Sequence, residues 1–443
     1  MPSLLSGPFR PFRHRAYLII WVGAFISNIG TWIESIAVGV YVTEATGRAS
    51  WTGTTAALTF LPTVIFGPFA GALADRFDRR RYLAVVTLAQ TALAVVLVTL
   101  AAGGWLSVGL VALVVFGSGC AFAFLIPAWS AILPDLVPAE DMLGATSLSQ
   151  AQFNLGRVVG PAIAGIVIAA GGLAWAFGLN AASFFAVLAS LALIRLPALD
   201  PAKVAERPAV LAQIREGLGF AARDPGVRTA LALLGATSVL VSPFIGLVPA
   251  VAIKLFDAGA TGTSALVTAQ GVGAVLAALA AGPLGARFGS KVMLVSAVSA
   301  VGPAAVLYGL APTFPLALAA VFVLGFVYLG VLSGVSVVCQ LRAPRELRAR
   351  TASLFMLVLG GGYPLGLVLH GWLGDRFGLR PVTVTGGLAL LAVVVAVRLL
   401  APRQIDALAP PAEPGAVAAV PVEPALPEVE GPVGQAPGAP GAR

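Results

Sequence analysis

Two ionisable residues, Glu34 and Arg157, stand inside long apolar runs of this chain. An ionised carboxylate in hydrocarbon costs about 2.5–3.5 kcal/mol on insertion scales. Glu34 is therefore expected to face a wet cavity, find a partner, or stay protonated. Any of these makes it a candidate for loading and releasing a proton or holding a cation. Ser27, Thr31, Glu34 and Ser35 recur at helical spacing, which predicts one polar stripe. The plainer alternative is a carboxylate near the headgroups, because Tyr41 and Glu44 follow. Arg157 shares a helix face with Gln150 and Asn154. It suits coupling through an anion or through Glu34; alternatively it packs structurally and donates to helix-end carbonyls.

A third set is the charged turn that follows a long apolar run: Gly71, Asp75, Arg76, Asp78, Arg79, Arg80 and Arg81. Residues 281–291 align onto residues 70–80 without a gap, with Arg287 and Lys291 as the cations of the second copy. Asp75 sits at a predicted helix end. It is expected to pair with Arg76, Arg79 or cations of the other half, such as Arg348 or Arg350, and so hold one face shut. Topogenic positive charge explains the arginines without a gate, but it does not explain Asp75. Further candidates for lining a substrate cavity are Ser27, Asn28, Thr31, Asn154, Gln270, Tyr328 and Tyr363. Trp32, Phe60 and Phe124 add aromatic surface for a bulky apolar or cationic ligand, though each alone is equally a packing residue or an interface anchor. His370 reads as interfacial. Cys120 and Cys339 sit in apolar runs and read as small packing residues, not a disulfide. With two His and no Cys/His cluster, no metal site is expected. Gly360-Gly361-Gly362 lacks a following Lys-Ser/Thr, so no ATP site is read, and no nucleophile–base pair suggests an enzyme or a cofactor.

The elements that must hold these residues are membrane helices. Hydrophobic residues make up 58% of the chain and charged residues 10%, against roughly 25% charged in a soluble protein. Lipid is the expected solvent. A spanning helix needs about 20 apolar residues. Twelve such runs are predicted: 17–42, 50–73, 82–102, 106–126, 143–170, 174–194, 228–253, 262–285, 291–310, 314–341, 350–372 and 380–400. The net charge of +8 follows topology rather than nucleic-acid binding. With the N-terminus cytoplasmic, only Arg48, Arg157, Lys254, Arg376 and Arg380 of the 27 cations fall outside cytoplasmic segments. Both termini are then expected in the cytoplasm, with no cleaved signal peptide.

The repeated turn and a second echo (Pro138-Ala139-Glu140 with Ser147-Leu148; Pro344-Arg345-Glu346 with Ser353-Leu354) divide the chain into two homologous halves. The expected domains are a six-helix bundle over 1–195, a cytoplasmic linker with an amphipathic helix over 196–227, a second bundle over 228–402, and a disordered Pro/Ala-rich tail over 403–443.

Gly71-x-x-x-Asp75-Arg76-x-Asp78-Arg79-Arg80 resembles the signature loop between helices 2 and 3 of the major facilitator superfamily, whose usual form has Gly where Asp78 stands. Gly30-Thr31-Trp32-Ile33-Glu34-Ser35-Ile36-Ala37, Leu133-Pro134-Asp135-Leu136-Val137-Pro138 and the run from Asn154 to Gly165 look like the branch of enterobactin and macrolide exporters. The fifth run matches the antiporter pattern at Gly156, Gly160 and Pro161, which implies a helix bend there. It carries Ser147 where a Gly is usual, and the fourth run lacks the Arg-x-x-Gln-Gly pattern. The resemblance implies an all-α membrane protein of twelve transmembrane helices in two pseudo-symmetric six-helix bundles. It further implies a proton-coupled exporter of small amphipathic compounds in the bacterial inner membrane, working by alternating access as a monomer. Export of a siderophore or an endogenous metabolite is the alternative, and a non-transporting sensor or scaffold a third.

Overall fold

The computed structural model describes residues 7–74, 77–194, 210–344 and 347–410. The apolar runs fold as helices because in lipid every backbone N–H and C=O must be satisfied within the segment. The first half holds α1 (Arg15–Thr46), α2 (Ala49–Ala74), α3 (Arg79–Ala102), α4 (Val108–Leu136) and α5 (Met142–Leu193). The linker helix α6 (Val210–Arg223) follows. The second half holds α7 (Pro225–Leu240), α8 (Val248–Phe256), α9 (Gly259–Leu310), α10 (Phe314–Arg342), α11 (Arg348–Phe377) and α12 (Leu379–Leu400), and a short α13 (Pro402–Asp406) closes the described chain. Helices α5 and α9 each turn back once, at Gly172 (φ 72°) and Gly289 (φ 80°). Each therefore supplies two spans, and with α7 and α8 forming one span the total is twelve in two six-helix bundles.

The seventh predicted run, 228–253, is not one helix. It breaks after Leu240, passes through a 3-10 turn at Ser242–Phe244, and restarts at Val248. Pro243 and Pro249 lack the N–H that a continuous helix needs and crowd the preceding turn. Discontinuous helices in transporters leave polar backbone only where it borders protein or a cavity.

Two helix starts at the basic end are capped by aspartates. Asp78 accepts from Arg81 N–H at 2.9 Å, and Asp224 accepts from Val227 N–H at 2.8 Å. Close packing relies on small residues: Gly325 of α10 sits against the Gln270 carbonyl of α9, and Gly302 of α9 against the Gly387 carbonyl of α12. Large apolar residues such as Leu143 and Leu400 are 82% and 85% exposed, as a lipid-solvated surface requires.

The core is asymmetric along the bundle. At the end where Arg15 and Arg79 lie (the basic end), the first half has its own cluster of Tyr17, Tyr82, Ile132, Leu148 and Leu191. Toward the opposite end, Ile33, Ala37 and Val40 of α1 belong to one cluster with Val248 and Val251 of α8. Residues 403–410, expected in the tail, instead continue α13 and form a turn, and Leu408 is fully buried there. The remainder of the expected tail, 411–443, and the linker residues 195–209 lie outside the described residues.

Candidate functional site

The site is built where the halves meet near their middle. Gly156 and Gly160 on the first arm of α5 bring that helix against α1, where added Cβ atoms would fall 3.0 Å from Asn28 Cβ and 2.5 Å from Trp32 Cβ. This close packing sets Arg157 beside Trp32, with the guanidinium carbon 5.7 Å from the indole centroid. Arg157 also lies within electrostatic reach of two hydroxyls from the other half, Tyr328 of α10 and Tyr363 of α11. Its backbone carbonyl packs on Gly271 of α9.

The break between α7 and α8 forms another wall. Ser242 Oγ is 3.0 Å from Tyr328 Oη, and the Phe244 ring meets Tyr328 edge-on at 5.6 Å. Gly246 leaves room for the Tyr363 hydroxyl: a Cβ there would sit 3.0 Å from it. Phe60 of α2 meets the Tyr363 ring edge-on at 5.3 Å. One cation and five aromatic rings from α1, α2, α5, the helix break, α10 and α11 thus converge. Among the described residues the Arg157 guanidinium has no hydrogen bond and no ion pair, and its Nε is buried without a partner.

The other predicted site residues are placed as follows. Glu34 does not meet Arg157; it accepts from Asn180 Nδ2 on the second arm of α5. Ser27 offers its carbonyl to Thr31 Oγ1 at 3.0 Å, and Thr31 itself is exposed. Asn154 donates to the Gln150 carbonyl at 2.8 Å. Gln270 is fully buried, and neither side-chain polar atom has a partner among the described residues. Pro161 is buried inside a helix that continues through it. His370 is buried, 7% exposed, and borders a small cavity with Leu240, Phe244 and Tyr308. Both cysteines are free.

Of the gating set, Asp75 and Arg76 lie outside the described residues. Gly71 faces Pro127 of its own half. Arg79 pairs with Asp135, and Arg80 donates to the Ala192 carbonyl at 3.1 Å. Arg287 lies over the Phe288 ring, and Lys291 pairs with Asp406 at 2.7 Å. Arg348 donates to the Ala343 carbonyl at 3.3 Å, and Arg350 pairs with Glu216 of α6. Each of these contacts stays within one half or reaches the linker helix.

A polar contact that does cross between the halves lies at the opposite end. Asp375 of α11 accepts from the backbone N–H groups of Ala49 at 2.6 Å and Ser50 at 3.1 Å, capping α2 of the other half. Ser50 Oγ donates to the same carboxylate. Lys254 Nζ stands 3.5 Å from Asp375 and donates to the Gly47 carbonyl at 2.7 Å, while Arg48 approaches at 3.7 Å. Gly371 lets the two helices touch there, with the Ala49 carbonyl 2.7 Å from where its Cβ would be. These contacts tie the two halves together at this end. Sequence reasoning did not find this lock. One signal was present: α2 begins after Arg48 without a capping side chain of its own, so its N–H groups needed a partner from elsewhere.

Known proteins resemble this chain along nearly its whole length. A family model described as transmembrane secretion effector matches residues 6–434. Macrolide efflux protein A of Streptococcus pyogenes is 26% identical over 386 residues, covering 86% of this chain and 94% of that protein. The multidrug efflux pump Tap of Mycolicibacterium fortuitum is 30% identical over 408 residues, covering 89% and 98%. The enterobactin exporter of Escherichia coli O1:K1 is 28% identical over 396 residues, covering 87% and 91%. Among solved structures, an inward-facing, occupied bacterial homologue of the lysosomal transporter Spinster superposes with a TM-score of 0.71 at 15% identity, over 91% of this chain and 99% of that one. The nucleoside transporter NupG superposes with a TM-score of 0.64 at 15% identity, over 86% and 98%. These two likenesses carry the fold. Together with the twelve spans and the two bundles, the family match identifies the chain as a multi-pass membrane transporter of the transmembrane secretion effector family, within the major facilitator superfamily.

Proposed function

We propose that the protein exports small amphipathic compounds across the bacterial inner membrane by alternating access, with the basic end cytoplasmic. The observation that carries this reading is the position of the Arg157–tyrosine cluster. It lies between the halves, beside a broken helix, beneath an end locked by Asp375. A site between two halves that are joined at one end is what rocking would expose to each side in turn. The efflux relatives support the outward direction. The working bodies are 1–195 and 228–402, joined by 196–227, and the transporter acts as a monomer.

Protons are the proposed coupling ion, with Glu34 as the carrier. Asn180 holds its carboxyl by a donor that serves either protonation state, so the proton can come and go without dismantling the pair. Release of Asp375 from the α2 N-terminus would open the far side, and the charged turn around Asp75 would close the near side.

The test is transport in inside-out vesicles with an imposed pH gradient, using an anionic and a neutral amphipathic dye as probes. Accumulation that collapses with the gradient is expected. Equal accumulation in vesicles lacking the protein would refute export.

A further inference from the structure

Arg157 is a permanent cation that no described residue neutralises. Guanidinium does not give up its proton in proteins. Such a residue is costly to insert at mid-membrane, so one kept there is expected to have a partner. The internal candidates are already engaged or remote. Glu34 faces Asn180 on the other side of α1. Asp375 is held by the α2 N-terminus, and Asp224 and Asp135 are paired with Arg342 and Arg79. No backbone carbonyl accepts from the guanidinium among the described residues, so a structural tie to helix ends is not made either. Arg157 is nonetheless partly accessible.

The surroundings specify what would complete it. The guanidinium is planar, with donors set as a fork that matches a carboxylate. The Trp32 ring lies against one side, and the Tyr328 and Tyr363 hydroxyls of the other half lie within electrostatic reach. Phe60, with Tyr363, supplies an aromatic wall. A cationic ligand would meet repulsion here. We infer that the central site takes the anionic head of an aromatic weak acid, its carboxylate or phenolate on Arg157 and its ring against Trp32, Phe60 and Tyr363. The substrate class is then an amphipathic organic anion, not a cation. This rests on the reading of the site as the transport site and narrows what it carries.

An anion bridging Arg157 of one half to the tyrosines of the other would also be the contact that differs most between the two access states. That difference is what a transported substrate must provide.

The test uses three ligands of one shape: 2-naphthoate, 2-naphthamide and 2-naphthylmethylamine, as anion, neutral isostere and cation. Binding to the purified full-length protein is read by Trp fluorescence and by thermal shift, in parent, Arg157→Gln and Arg157→Lys. Naphthoate is expected to bind at least about tenfold tighter than the amide, as a charge-assisted fork would give. Arg157→Gln should erase the preference and Arg157→Lys keep part of it. Naphthoate binding no tighter than the amide, or absent at millimolar concentration, overturns the inference on the parent protein alone. So does a preference that survives Arg157→Gln. Vesicle transport of the same ligands separates the two readings. Movement of the amine or amide without naphthoate leaves an exporter but removes the anion site. Naphthoate that binds at Arg157 yet is never moved leaves the site and removes the transport assignment.

Discussion

At the scale of single residues, Glu34 and Arg157, the two charges set inside apolar runs, face different neighbours. Arg157 faces the other half; Glu34 faces Asn180 within its own half. On the proposed reading, a proton carried by Glu34 would act through helix position rather than by direct competition at Arg157. Glu34→Gln keeps the size and a hydrogen bond to Asn180 but cannot titrate. It is expected to abolish uphill transport in vesicles with an imposed pH gradient while leaving binding and downhill exchange near parental values. Parental accumulation by Glu34→Gln would remove it from the mechanism. The sequence singled out both residues because charge in an apolar run is visible without a structure. It did not pair them correctly with their neighbours. Asn180 is an ordinary polar residue 146 positions away, and nothing in local spacing links it to Glu34.

At the scale of elements, helix boundaries were legible wherever a cap or glycine marked them, and the break in the seventh span was not. Pro243 and Pro249 were visible, yet Pro is tolerated in membrane helices, so its presence alone does not predict unwinding. The start of the second half shows how an element end is secured. Asp224 caps α7 and accepts from Arg342 of α10 through Nε at 2.7 Å and Nη2 at 2.9 Å. Burial alone would raise this carboxyl, but the Arg342 fork and the Val227 N–H outweigh it and hold it below the ordinary carboxylate value. The sign follows: a depressed folded value stabilises above the unfolded carboxylate range, and that stability is lost as pH falls through the folded value. Asp224→Asn should lower the detergent-solubilised protein's stability by about 1–3 kcal/mol at pH 7. In thermal melts the gap to the parent should narrow as the pH drops below the carboxylate range. A gap that stays constant with pH would show that the charge contributes nothing.

At the scale of the whole molecule, the periodic apolar runs, the repeated turn and the cation distribution carried the two-bundle fold, because lipid imposes those patterns on any spanning chain. Which end is closed could not be read, since it depends on Asp375 meeting residues 49 and 50 across the halves. In a cysteine-free background, impermeant thiol reagent added outside intact cells should label the exposed Gly47→Cys and Thr313→Cys but not Asp78→Cys. Labelling of Asp78→Cys from outside would invert the topology. Ala49 is fully buried against α11. Ala49→Cys should therefore label slowly in the parent and several-fold faster when combined with Asp375→Asn, as the balance moves toward the outward-open state. Unchanged labelling would mean that apolar packing alone closes this end.

The lock at Asp375 has a consequence for how the protein meets its surroundings. Its partners are unequal in exposure: the Arg48 side chain is 65% exposed and Lys254 31%, while Asp375 is 16%. The cations therefore stand in the bathing medium, where the Debye length is about 8 Å at physiological ionic strength and about 3 Å at 1 M. Dissolved salt on that side weakens the attraction, whereas salt on the other side does not reach it. With the basic end cytoplasmic, as proposed, salt outside the cell is expected to loosen this lock and tilt the resting protein toward the outward-open state. Raising external salt should speed Ala49→Cys labelling in the parent and leave the Asp375→Asn protein unmoved.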